Sequence, residues 1–204
     1  MRGLRRAATT CCAALWLCAC GMLPQPPASP ALHDFGLPVG APAVTLAGGQ
    51  VAVAPVSSPS WLANSRIRYR LLFDEPARLR AYAQNEWIAP PAELMTARLR
   101  LAFGNPDFAV AGASGEPAYR LEVELLDFEQ VFDTAHSARS NLRAVVSLRS
   151  TKDGRVLGPR LFDVSMASSP SVRGAIDSGG AAVERLVAQI VLWADGFRPA
   201  AMRP

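Results

Sequence analysis

The chain of 204 residues is 50% hydrophobic, 19% charged and 7% aromatic, enough apolar material for a packed domain and too much for wholesale disorder. Its formal charge of +4 leans on Arg2, Arg5 and Arg6; without those three of the 21 basic residues the chain nearly balances its 17 acidic ones, which removes the case for a nucleic-acid partner. Nothing repeats at a fixed period, so a solenoid or propeller is excluded.

Residues 1–19 read as a leader. The three arginines form a basic start, Ala7 to Leu17 a short apolar stretch, and Leu17-Cys18-Ala19-Cys20-Gly21 resembles the bacterial lipobox. Cleavage before Cys20 would leave its thiol to carry diacylglycerol, with an acyl chain such as palmitate on the new amino group. An apolar run this short falls below the ~20 residues of a membrane span. An ordinary secretory signal cut near Ala19 is the plainer alternative. Cleavage also removes Cys11, Cys12 and Cys18, so the folded part has no disulfide, thiolate metal site or cysteine nucleophile. Gly21 and Met22, with no aspartate after the cysteine, favour the outer membrane by the sorting rule of Gram-negative lipoproteins.

Residues 20–49 read as the lipidated cysteine and a Pro/Gly-rich tether, with Pro24, Pro26, Pro27 and Pro30 in its first part. Residues 32–37 are ambiguous between an edge strand and loop. The domain is expected over 50–195, with a tail over 196–204. Val51, Val53 and Val56 suggest a first core strand. Ile67, Tyr69 and Leu71 then alternate with Arg66, Arg68 and Arg70, and after the turn Asp74-Glu75-Pro76, Leu79 and Ala81 alternate with Arg78, Arg80 and Tyr82. This pattern predicts a hairpin with five arginines on one face. Pro90 and Pro91 suit the first turn of a helix that runs to Gly104 before Asn105-Pro106.

In the second half, Leu121, Val123 and Leu125 alternate with Arg120, Glu122 and Glu124. The phase then flips to Leu126, Phe128 and Phe132, which predicts a β-bulge near Leu125-Leu126. Leu142, Ala144, Val146 and Leu148 form the inward row of the next strand. Lys152-Asp153-Gly154-Arg155 is its turn, and Phe162, Val164 and Met166 lie on the return. Ile176, Val183, Leu186, Val187, Ile190 and Trp193 have helical spacing. The expected fold is α+β, a two-layer sandwich whose mixed or antiparallel sheet carries its helices on one face, in the order β-β-β-α-β-β-β-α, with an extra leading strand left open.

No G-x-S-x-G, H-E-x-x-H or phosphate-binding glycine loop occurs, and His33 and His136 are the sole histidines, so an enzyme with a familiar centre lacks material and no cofactor is expected. The carboxylates Glu122, Glu124, Asp127, Glu129 and Asp133 read as a solvated strand face meeting arginines such as Arg143 and Arg149 rather than an acid–base pair. Gly179-Gly180 follows no predicted strand. Two features could bind: the arginines 66, 68, 70, 78 and 80, suited to anionic lipid or an acidic surface, and the aromatic residues Trp61, Tyr82 and Trp87. For the arginines the plainer alternative is a solvated hairpin face, and for the aromatic residues it is core packing.

Trp61-Leu62, Ile67-Arg68-Tyr69-Arg70, Tyr82 to Trp87, Pro90-Pro91-Ala92-Glu93-Leu94, Arg98-Leu99 and the strand Leu125 to Phe132 resemble the PqiC-like ABC-type transport auxiliary lipoproteins, a likeness that extends from about residue 32 to 195. The resemblance implies a non-enzymatic outer-membrane lipoprotein of an MCE-type lipid transport system. Its partners would be an MCE-domain protein with its ABC permease and ATPase, and membrane lipids; a homo-oligomer is compatible. The contact residues would be Trp61, Trp87 and the five arginines, with Cys20 as the lipidation site. The competing reading is a structural lipoprotein that assists insertion of outer-membrane proteins or lipopolysaccharide.

Overall fold

The computed structural model describes residues 29–38, 51–104 and 117–197. The leader, Cys20, residues 20–28 and 39–49 of the tether, Asn105-Pro106 and residues 198–204 of the tail lie outside the described residues. Strands β1 (Ala31–His33), β2 (Val51–Val53), β3 (Arg66–Leu71) and β4 (Arg80–Trp87) precede helix α1 (Pro91–Ala102). Strands β5 (Tyr119–Thr134), β6 (Ser137–Ser150) and β7 (Val156–Ser168) precede helix α2 (Val172–Asp195).

The three long strands carry the strictest alternation and form an antiparallel meander. On one face Leu121, Leu125, Leu142, Ala144, Val146 and Leu148 are fully buried. The predicted phase flip is present, as the β5–β6 register shifts between Leu125 and Asp127 and returns Phe128 to the buried face. The strand order is β1-β4-β3-β5-β6-β7. β5 is long enough to serve two parallel neighbours along one side: Val51–Val53 lies beside Tyr119–Leu121, and Tyr69–Leu71 beside Gln130–Phe132.

Both helices join the same core as the buried row of the sheet, giving the expected two layers. Pro91 opens α1, and Met95 and Leu99 on its inner face are fully buried. Thr96 ties α1 to the segment after β2, accepting from Val56 N at 2.9 Å while its hydroxyl donates to the Ala92 carbonyl at 2.7 Å. Ser171 caps α2, accepting from Gly174 N at 3.1 Å, so the helix starts earlier than its apolar spacing suggests.

The Gly179-Gly180 pair lies inside α2, where it lets the helix settle onto the sheet. A Cβ at Gly180 would stand 2.7 Å from the Phe35 carbonyl oxygen, and one at Gly179 3.3 Å from the Phe128 ring. The leading edge strand is real but shorter than 32–37. Phe35 leaves the sheet and turns its ring into the core, edge-on to Trp87 at 5.1 Å and to Phe128 at 5.7 Å.

Candidate functional site

The arginine hairpin is built by β3 and β4, but its arginines do not share one face. Tyr69 pairs with Arg80 and Arg68 with Ala81, after a register shift between Arg66 and Arg68. Paired residues project from the same side of a sheet. Arg80 and Tyr82 therefore fall on the side of Tyr69, and Arg68 and Arg70 on the other. The expected five-arginine face is corrected by this register, which simple alternation through the turn does not reveal.

Each arginine but Arg66 is engaged within the chain. Arg70 forks onto Glu129 of β5, Nε to Oε1 at 3.0 Å and Nη2 to Oε2 at 3.2 Å, and also donates to the Pro76 carbonyl at 2.8 Å. Arg78 donates to Glu75 at 2.8 Å. Arg80 donates to Asp74 and Glu75, each at 2.8 Å. Hydrogen bonds from Arg78 and then Arg80 hold the Glu75 carboxyl below its ordinary range, and those to Asp74 and Glu75 push Arg80 up. Arg68 donates to the Trp61 carbonyl and, at 3.2 Å, to Asn64 Oδ1. Burial and then the charge of Arg66 lower the pKa of Arg68. Arg66 is exposed, across the register from Glu86. The local positive excess is thus smaller by one charge than the hairpin's own sequence suggests, because Glu129 arrives from β5.

The aromatic candidates divide. Trp61, on the short 3-10 turn Ser60–Leu62, remains 38% exposed and is held beside Arg68. Trp87 is 2% exposed and stacks on Phe128 at 5.7 Å, so it offers no surface to a partner; the end of β4 tucks it beneath α2. Tyr82 lies 4.7 Å from Tyr69 between ring centres and donates to Gln130 Oε1 at 2.6 Å. Burial, with a smaller contribution from Tyr69, pushes its phenol up to about 12.

Leu72 and Phe73, the hairpin's bare apolar tip, were missed in the sequence, at 40% and 53% exposure. The available signal was an apolar pair that breaks alternation just before Asp74-Glu75-Pro76. The carboxylate row meets arginines as a strand face should: Glu122 reaches Arg149 at 2.9 Å, Asp127 reaches Arg143 at 3.1 Å and Asp133 reaches Arg139 at 3.3 Å. Among the described residues, no three His, Cys, Asp or Glu side chains are grouped as metal ligands, and no helix is long and apolar enough to cross a membrane.

Solved structures share this fold. Protein XCC0632 from Xanthomonas campestris, of family DUF330, matches with 21% identity and a TM-score of 0.61 over 82% of this chain and 91% of that one. An uncharacterized protein matches with 15% identity and a TM-score of 0.57 over 81% of this chain and 99% of the other. No curated protein matches the chain. The model of the ABC-type transport auxiliary lipoprotein component matches residues 35–191, from Phe35 just after β1 to within one turn of the end of α2. The chain belongs to that family, one of membrane-anchored transport components and not of known enzymes.

Proposed function

We propose that the protein is an outer-membrane lipoprotein, anchored through acylated Cys20 on the periplasmic leaflet, that docks the periplasm-spanning MCE protein of an ABC-driven lipid transport system. In this scheme the inner-membrane ATPase supplies the energy and this chain supplies a fixed surface. The observation that carries the docking assignment is the exposed β3–β4 tip, where Leu72 and Phe73 stand among arginines locked by ion pairs. Exposed apolar side chains flanked in the chain by arginines have the composition of a protein interface. A tip already held by Glu129, Glu75 and Asp74 loses little conformational freedom on binding.

The test is crosslinking in intact cells with a photoreactive residue at Phe73 or Trp61 of the full-length, acylated protein. Recovery of an MCE-domain protein with its permease or ATPase is expected, and Leu72→Ser with Phe73→Ser should cut that yield about tenfold, the effect of losing roughly 1.4 kcal/mol. Arg66→Ser probes charge without disturbing an ion pair, whereas Arg70→Ser also frees Glu129 and is a less direct test. Recovery of outer-membrane assembly machinery alone would favour the competing assembly reading, and an unmodified Cys20 would overturn the anchor.

A further inference from the structure

Three of the four barest large apolar side chains among the described residues lie where the tether meets the domain: Leu37 at 91% exposure, Ile88 at 61% and Leu32 at 58%. The fourth, Leu192 at 72%, lies near the far end of α2, about 25 Å from its first turn at ~1.5 Å per residue. The three are held in place. Ile88 N donates to the His33 carbonyl at 2.7 Å, fixing Ile88 to the outer strand of the sheet. Asp34 accepts from Gly36 N at 2.8 Å, Gly36 takes a φ of 77° that favours glycine, and Arg98 donates to the Gly36 carbonyl, so the turn that presents Leu37 is built. Leu32, Ile88 and Ile176 line one groove of about 550 Å³, with Arg173 and Asp177 also on its wall and paired at 2.9 Å.

We infer that this edge of the domain rests on the lipid bilayer, with Leu32, Leu37 and Ile88 entering the boundary between headgroups and acyl chains. The inference rests on the lipid-anchor reading of Cys20. The occupant follows from the length of chain before the domain. Residues 20–28 can reach at most ~30 Å even when fully extended, and Leu32 follows Ser29 by three residues. An anchor that short keeps the edge at high local concentration beside the membrane, an advantage no dissolved partner has. The lipid chains supply retention, and the apolar side chains supply orientation. Asp177 offsets Arg173, so the contact does not depend on anionic lipid. β4 spans about 23 Å at ~3.3 Å per residue between this edge and the β3–β4 tip, which leaves the tip free for a partner.

The test uses the acylated full-length protein in vesicles of phosphatidylethanolamine and phosphatidylglycerol, 3:1. With Cys20 acylated, a cysteine introduced by Leu32→Cys, Ile88→Cys or Leu192→Cys is the only free thiol for an environment-sensitive dye. Quenching by nitroxide-labelled lipid should be at least threefold at positions 32 and 88 and negligible at 192. A protein that floats with the vesicles but is quenched equally at all three positions overturns the inference and leaves the anchor standing. A protein that does not float overturns both. The substitutions replace exposed side chains, and an unchanged unfolding midpoint confirms that the fold is intact.

Discussion

The same strands present two chemically opposite faces. Under the helices, Leu121, Leu125, Leu142 and Leu148 are fully buried. The bare side carries partly exposed ion pairs, Arg143 with Asp127 at 3.1 Å and Arg149 with Glu122 at 2.9 Å. Burying a leucine is worth about 1.5–3 kcal/mol, whereas an exposed ion pair contributes about 0–1 kcal/mol. The covered face therefore sets stability, while the bare face sets register and keeps the sheet soluble. Glu122, Asp127 and Glu129 on this face each meet an arginine of a neighbouring strand.

The sharpest way to break this comparison is to force the covered face apart. Gly180→Val would place a side chain where even a Cβ stands 2.7 Å from the Phe35 carbonyl oxygen, and that atom belongs to backbone that cannot rotate away. A loss of about 3 kcal/mol in urea unfolding is expected, net of a few tenths gained in helix propensity. Ala181→Val, on the exposed side of the same turn, should cost about 0.6 kcal/mol, the difference in helix propensity alone. Equal effects at the two positions would mean that α2 does not close on Phe35.

A second break uses a buried polar side chain that links the covered face to the segment leading into α2. Gln130, 2% exposed, donates to Ser168 Oγ at 2.7 Å and the Ser169 carbonyl at 2.8 Å, and accepts from the Tyr82 hydroxyl. Gln130→Leu keeps the volume but strands those groups, for an expected loss of about 2 kcal/mol. Tyr82 adds a pH signature. Its folded pKa, about 12, lies above the ~10 of an unfolded tyrosine, so the contribution of the neutral phenol is complete below pH ~10 and is lost as pH rises through about 12. Stability should fall across that window and fall less in Tyr82→Phe. Absorbance titration of the phenolates, with Tyr82→Phe as the difference, checks the pKa directly.

The legible parts of the sequence were those in which one period dominates. β6 alternates for a dozen residues, β7 alternates from Phe162 to Met166, and in β5 even the bulge after Leu125 was visible as a change of phase. The α2 face was readable from Ile176 to Trp193, but its first turn was missed, and the gap at Gly179-Gly180 serves contact with Phe128 and Phe35, residues far away in sequence. The hairpin was half legible. Its strands and turn could be read, but the face of Arg80 depends on the slip beside Arg66, and the charge of Arg70 is met by a carboxylate on β5. Trp87 and Trp61 look alike as letters; packing beneath α2 buries one and leaves the other at the surface. Residues that act through long-range register or close approach leave no local signal.

The smallest expected effect sharpens the comparison from the other side. A hydrogen bond from Arg149, reinforced by its charge, holds Glu122 below the usual carboxylate range despite an opposing cost of burial. A depressed carboxyl contributes stability above its unfolded value of about 4.3 and loses it as pH falls through the lower folded value. Side-chain exposures of 47% for Arg149 and 35% for Glu122 let water and salt screen the pair, which limits its worth to under ~1 kcal/mol. Glu122 has a second task, because Arg120 lies directly opposite Arg149 in the β5–β6 register and like charges there repel. Glu122→Gln should therefore cost about 0.5 kcal/mol at neutral pH and low salt, shrink further at high salt, and remove a small part of the loss on acidification. A salt-insensitive loss as large as that of Gln130→Leu would show that this face is not governed by solvent, and that the division between a stabilising face and a solvated one fails at its edge.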